Sequence, residues 1–192
     1  MSKYMFLFIV ITVISLIALA IYAIKFNVSA PSAPPVNKLE IKQEWVLYDV
    51  PMSDDLQFFT QDACKAYGVD FDLVLAIIKV ESNFRTTAYN SDTDCCGLMQ
   101  INTINLPMLR EECGVTDLFS GFENVIGGIY LLRQALNYDG DTEHALMIYN
   151  CGITGAKKLF YKGIHSTEYS RKVLAVRDNL TVRERIYEEV TD

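Results

Sequence analysis

The chain has 192 residues, 17 of them Lys or Arg and 24 Asp or Glu, for a formal charge of −7 and a hydrophobic share of 51%. The first 38 residues hold Lys3, Lys25 and Lys38 and no acid, so residues 39–192 carry 14 positive against 24 negative charges. A region this acidic is a poor match for nucleic acid, where Lys and Arg must displace counterions from phosphate, and scarce Pro and Gly with 11% aromatics exclude a disordered or collagen-like chain.

In chain order, Met5 to Ile24 read MFLFIVITVISLIALAIYAI, apolar throughout except for Thr12 and Ser15. Twenty residues at about 1.5 Å rise span about 30 Å, the thickness of a bilayer's hydrocarbon core. Residues 1–25 are therefore expected to be a short tail and a single transmembrane anchor. A cleaved signal peptide is the alternative. Its apolar region is shorter, and although Val28-Ser29-Ala30 has the small-x-small shape of a cleavage site, Pro31 follows it directly. Counting lysines around the span (Lys3 before it; Lys25, Lys38 and Lys42 after it) weakly places the following chain in the cytoplasm. Residues 26–44, with Pro31, Pro34 and Pro35, form a semi-rigid Pro-rich linker.

Residues 45–177 suffice for one compact domain. Ser53 is a helix N-cap with Asp54 and Asp55 in the first turn, and Leu56, Phe59, Ala63, Ala66 and Tyr67 recur at helical spacing up to Gly68. Asp70 caps a second, strongly apolar helix that runs into Glu81-Ser82. Asn83 to Cys96 is polar and reads as a loop, and Gly97 to Thr103 resumes an apolar pattern. Further helices are expected at Phe122–Leu136, with Gly127-Gly128 marking close packing, at Thr142–Tyr149 and at Ser166–Val176. No alternating strand stands out, so the fold class is mostly α. Residues 178–192, DNLTVRERIYEEVTD, read as a charged C-terminal tail, helical or solvated.

Glu81 ends an apolar helix, where partial burial disfavours its charged form and raises its pKa toward that of a general acid near neutral pH. An acid at a helix end is more often merely solvated. The surrounding pattern changes that balance. Glu81-Ser82-Asn83-Phe84 is followed by Ser91, then Gly97-Leu98-Met99-Gln100, then Tyr149-Asn150-Cys151-Gly152. This resembles the lytic transglycosylase (SLT domain) family of the lysozyme-like superfamily, with its E-S-x-F/W, S, G-L-M-Q and A-Y-N-x-G motifs in the same order. Asp117-Leu118-Phe119, Asn124 and Gly127 to Leu132 are similar to that family's intermediate helix, and Tyr169 matches its late tyrosine. The resemblance covers about Ser53 to Val176.

The resemblance implies a lysozyme-like helical domain that cleaves the β-1,4 bond between N-acetylmuramic acid and N-acetylglucosamine in peptidoglycan. It implies Glu81 as catalytic acid and base, and Ser91, Met99, Gln100, Tyr149, Asn150 and Tyr169 as substrate-cleft residues. The product would be a 1,6-anhydro sugar, formed with no metal or cofactor. His144 and His165 stand alone in the sequence, without ligand spacing. A wall substrate puts the domain outside the cytoplasm, against the lysine count, at the bacterial cell membrane. Small tethered members of the family serve secretion or conjugation machines, which makes such a machine a candidate partner.

One stretch departs from the family. Asp94-Cys95-Cys96 replaces small residues before G-L-M-Q, and the loop from Glu81 to Ser91 is one residue longer. Goose-type lysozymes, related in fold, carry a carboxylate in this region and hydrolyse. Asp92 or Asp94 as a second carboxylate would thus make the chain a muramidase, and loss of turnover would make it a glycan-binding or assembly module. Five cysteines suggest one or two disulfides in an extracytoplasmic domain. The resemblance brings Cys95 or Cys96 toward Cys151, with Cys113 a rival partner. A Cys–His nucleophile has no recognisable peptidase motif around any of the five.

Overall fold

The computed structural model describes residues 42–189. The expected anchor at residues 5–24 lies outside them, and so does the expected linker up to residue 41; its last three residues, 42–44, belong to the first strand instead. Among the described residues no helix is long and apolar enough to cross a membrane.

The domain is mostly helical, as expected from the sequence. Strand β1 (Lys42–Tyr48) leads into α1 (Asp54–Tyr67) and α2 (Phe71–Ser82). Ser53 Oγ accepts the Leu56 amide at the start of α1, Asp70 accepts the Asp72 amide at the start of α2, and Gly68 closes α1 in the left-handed region at φ 62°. Six consecutive residues of α2, Leu73 to Ile78, are at most 2% exposed. A helix apolar on all sides belongs in the middle of a bundle, and α2 is the central element here. It shares one core with α4 (Gly121–Leu136), α5 (Thr142–Phe160) and α6 (Glu168–Arg177), with α6 against α2, α1 against α4 and α4 against α5.

Three features were not anticipated. The polar stretch after α2 is not all loop: β2 (Tyr89–Asn90), β3 (Cys95–Cys96) and β4 (Ile101–Asn102) make a small antiparallel sheet in that order. Two-residue strands are too short to leave an alternating pattern. Helix α3 (Leu106–Cys113) also went unrecognised; it follows a 3₁₀ turn at Thr103–Asn105 and has Pro107 in its first turn. Helix α5 runs past its expected end at Tyr149, with a kink where Gly152 adopts φ 70°, ψ 162°.

The C-terminal segment is a strand rather than a helix or free tail. Strand β5 (Val182–Glu189) pairs antiparallel with β1, Trp45 opposite Ile186 and Val46 opposite Arg185. Its charges hid a two-residue period, and two of them have partners: Arg185 meets Glu44 at 2.5 Å and Arg183 meets Asp54 at 2.6 Å. Two buried glutamines of α1 complete β1. Gln61 accepts from the Val46 amide and donates to its carbonyl, and Gln57 does the same for Tyr48.

Candidate active site

Glu81 occupies the last turn of α2. The chain reverses immediately after it, through left-handed conformations at Asn83 (φ 50°) and Phe84 (φ 63°). The half-buried carboxylate thus ends the central helix at the edge of a cleft of about 880 Å³. Its walls come from β2 to β4 on one side, from the C-terminal half of α4 on another, and from Ile148 to Ile153 of α5. Glu81 is the single acidic residue on those walls among the described residues; Asn90, Asn102, Asn105, Gln134, Asn137 and Asn150 supply amides.

Tyr169, at the start of α6, donates its hydroxyl to Glu81 Oε1 at 2.5 Å. Burial raises the Glu81 pKa above the ordinary carboxylate range, while the Tyr169 bond and the Lys172 ammonium pull it partly back. Burial and the neighbouring Glu81 charge hold Tyr169 firmly as a neutral phenol. Tyr149 is a neutral phenol for the same two reasons, burial first, and donates to the Met99 carbonyl at 2.8 Å.

The G-L-M-Q segment is fixed from beneath by Asn124 of α4, a fully buried amide. Asn124 accepts the Met99 amide at 2.8 Å and donates to the Cys96 carbonyl at 3.0 Å and the Leu118 carbonyl at 2.7 Å. Gly97 sits against it at φ 76°; a β-carbon there would lie 2.3 Å from both Asn124 Nδ2 and the Leu118 oxygen. Gln100, at φ 48°, commits its amide nitrogen to the Gly97 and Ala88 carbonyls at 2.9 and 3.2 Å. Its carbonyl oxygen is the group left to face the cleft.

The expected site residues thus divide. Glu81, Gln100, Tyr149 and Asn150 line one cleft, and Tyr169 reaches Glu81 from behind. The Met99 side chain does not line it. It is fully buried against Gly128, where a β-carbon would come within 2.2 Å of its sulfur, and it serves the site through its carbonyl. Ser91 is exposed and stands outside the cleft wall. So do Asp92 and Asp94. Asp94 is engaged in holding its loop: it accepts from the Thr103 hydroxyl and from the Tyr89 hydroxyl at 3.0 Å, bonds that hold its carboxyl below the usual range. All five cysteines are free thiols, so the expected bridges among Cys95, Cys96, Cys113 and Cys151 are not formed. Cys95 and Cys151 both border the cleft. The role of Asn124 was not read from the sequence; a lone Asn on the apolar face of α4 was the available signal.

Similarity to known proteins identifies the family. The family model of the transglycosylase SLT domain matches residues 58–167. A transglycosylase of Enterobacteria phage PRD1 is 37% identical over 120 residues, covering 58% of this chain and 43% of that protein. The membrane-bound lytic murein transglycosylase F of Desulfosudis oleivorans is 32% identical over 99 residues, covering 48% of this chain and 21% of that protein. The chain therefore spans less than half the length of these relatives. An inactive mutant of the lytic transglycosylase Slt from Pseudomonas aeruginosa superposes with a TM-score of 0.56 at 20% identity, over 66% of this chain and 24% of that one. At that identity the likeness is one of fold.

Proposed function

Because the chain belongs to the transglycosylase SLT domain family, we propose that it is a peptidoglycan lytic transglycosylase. It cleaves the β-1,4 bond between N-acetylmuramic acid and N-acetylglucosamine and releases 1,6-anhydro products. One observation carries the reading: Glu81, half-buried with a raised pKa, is the one carboxylate on the cleft wall among the described residues. A glycosidase that hydrolyses with two carboxylates needs a partner roughly 5–10 Å away, and Asp92 and Asp94 do not reach the wall.

In the proposed mechanism the protonated Glu81 gives its proton to the glycosidic oxygen as positive charge builds on the muramic acid ring. The substrate's own acetamido group stabilises that charge. Glu81, now a carboxylate, takes the proton of the sugar's 6-hydroxyl, whose oxygen attacks the anomeric carbon and closes the anhydro ring. No water is consumed, and Glu81 ends protonated. Tyr169 holds the carboxylate in place, and the amides around the cleft suit N-acetyl groups.

The anchor at residues 5–24 completes the proposal: a single-pass protein of the cell membrane with its domain on the extracytoplasmic side. The linker lets the domain reach nearby wall, in the service of a secretion or conjugation machine. The name of the Desulfosudis relative, a membrane-bound enzyme, supports this placement.

Mass spectrometry of soluble products from purified peptidoglycan tests the reaction. Muropeptides one water lighter than hydrolysis products, absent with Glu81→Gln, are expected. Water-added products would turn the reading to a muramidase. No product under either reducing or oxidising conditions would turn it to a glycan-binding module.

A further inference from the structure

His144 and His165, isolated in the sequence, meet in the fold: His144 Nε2 lies 3.0 Å from His165 Nδ1. We propose that this pair is a binding site for an imidazole-seeking divalent transition metal of the Zn²⁺ class, separate from the Glu81 cleft.

Three observations support it. First, His144 is oriented as metal-bound histidines are. Its Nδ1 lies 2.6 Å from Asp139 Oδ2, and a ligating imidazole typically gives its second ring N–H to a carboxylate in this way. A proton at Nδ1 toward Asp139 would leave the Nε2 lone pair facing His165. Asp139 is itself fixed, because its other oxygen accepts the Asp141 amide at 3.0 Å.

Second, both rings are held by one aromatic surface. Phe160 stacks on His165 with an interplanar angle of 7° and packs against His144 at 4.4 Å between centroids. Third, the spacing fits. Two nitrogens bound tetrahedrally at about 2.0–2.1 Å stand about 3.3 Å apart, a few tenths of an ångström beyond the present 3.0 Å. Binding an ion replaces the direct bond between the rings and turns both lone pairs toward one point, and His165, exposed beyond the C-terminal end of α5, is the ring placed to shift. Ligation through Nδ1 requires the His165 tautomer with its proton at Nε2.

Among the described residues no group of three or more His, Cys, Asp or Glu converges on one point. Water therefore completes the coordination shell, and the two imidazoles carry the affinity. The oxygen-seeking cations Ca²⁺ and Mg²⁺ have no reason to bind here.

The position gives the site a consequence. His144 is in the first turn of α5, and His165 stands two residues before Thr167, the cap of the helix that carries Tyr169. A bound ion would staple these two segments together, beside the existing bond from Ser166 Oγ to Glu143 at 2.9 Å.

The test is isothermal titration of ZnCl₂, with MgCl₂ in parallel, into the metal-stripped full chain in detergent, reduced and with its thiols alkylated. The proposal expects a single Zn²⁺ site and no Mg²⁺ heat. His165→Ala should weaken the site at least about 30-fold and Asp139→Asn about 10-fold, with the metal-free melting temperature of His165→Ala unchanged. No Zn²⁺ binding, Mg²⁺ binding of equal strength, or a Zn²⁺ affinity indifferent to His165→Ala would each overturn it. Peptidoglycan turnover is not the readout, so failure here leaves the assignment of Glu81 standing.

Discussion

Tyr169 delivers its hydroxyl to Glu81 Oε1 at 2.5 Å from 88 positions further along the chain. The bond stabilises the carboxylate form, against the burial that favours the acid form. The two effects set where Glu81 titrates, and this makes the contact measurable. In the proposed mechanism Glu81 must be protonated to act as acid, so activity should fall as pH rises through its pKa. Tyr169→Phe removes a downward influence and should move that descending limb to higher pH, with kcat lowered roughly 10-fold or more as the carboxylate loses its fixed position. A pH profile of kcat/KM in which the limb stays put or moves to lower pH would refute the role given to this bond.

Glu81→Gln should divide activity from stability. Loss of the acid–base group should lower turnover by roughly 10²–10⁴-fold or more. The folded-state pKa of Glu81 is raised, so the native state holds that proton more tightly than the unfolded chain does. The associated stability is complete below the ordinary value of 4.5 and is lost as pH rises through the folded-state pKa. Glutamine keeps the oxygen that accepts from Tyr169 and carries no charge to desolvate. The variant should therefore match the parent in acid and exceed it in melting temperature at neutral pH. Thermal melts at both pH values decide this.

The hydrolase alternative rests on Asp92 and Asp94. Asp92→Asn should leave turnover within about twofold, and Asp94→Asn, which loosens a loop, should lower it by less than about tenfold. Neither should turn the anhydro products proposed above into water-added ones. A switch in product mass in either variant would restore the second carboxylate.

Asn124→Ala strands the Met99 amide and the Cys96 and Leu118 carbonyls in the interior. An unsatisfied buried polar group costs about 1–3 kcal/mol, so urea denaturation should show a loss of at least about 2 kcal/mol. Gly128→Ala pushes a methyl into Met99 and should cost about 1–3 kcal/mol through overpacking. Both lesions act on the segment that ends in Gln100, so KM should rise in each.

Much of this was legible in the sequence because it is written locally. The caps Ser53, Asp70 and Gly68 act within four residues of their helices, and the G-L-M-Q and Y-N-x-G motifs are contiguous strings. What escaped depends on distant partners. The charged run at 182–189 becomes a strand because β1, far away in the sequence, pairs with its backbone, and Glu44 and Asp54 reach its arginines from there and from α1. Met99, an apolar residue inside a site motif, faces Gly128 rather than the cleft, a choice that only tertiary packing makes. The two histidines pair across 21 positions because α5 and the segment before α6 come together there.

The ribbon of β1 and β5 also bears on the order in which the protein is made. Val182, the first residue of β5, leaves the ribosome 134 residues after Tyr48, a wait of roughly 7–27 s at 5–20 residues per second. An unpaired strand exposed for that long is a template for the wrong partner. Gln57 and Gln61, which follow β1 closely in the chain, give its backbone side-chain amides at Val46 and Tyr48. In the finished domain the two glutamines and β5 bond to β1 together, so the strand's backbone is partnered from the next helix as well as from the far end of the chain.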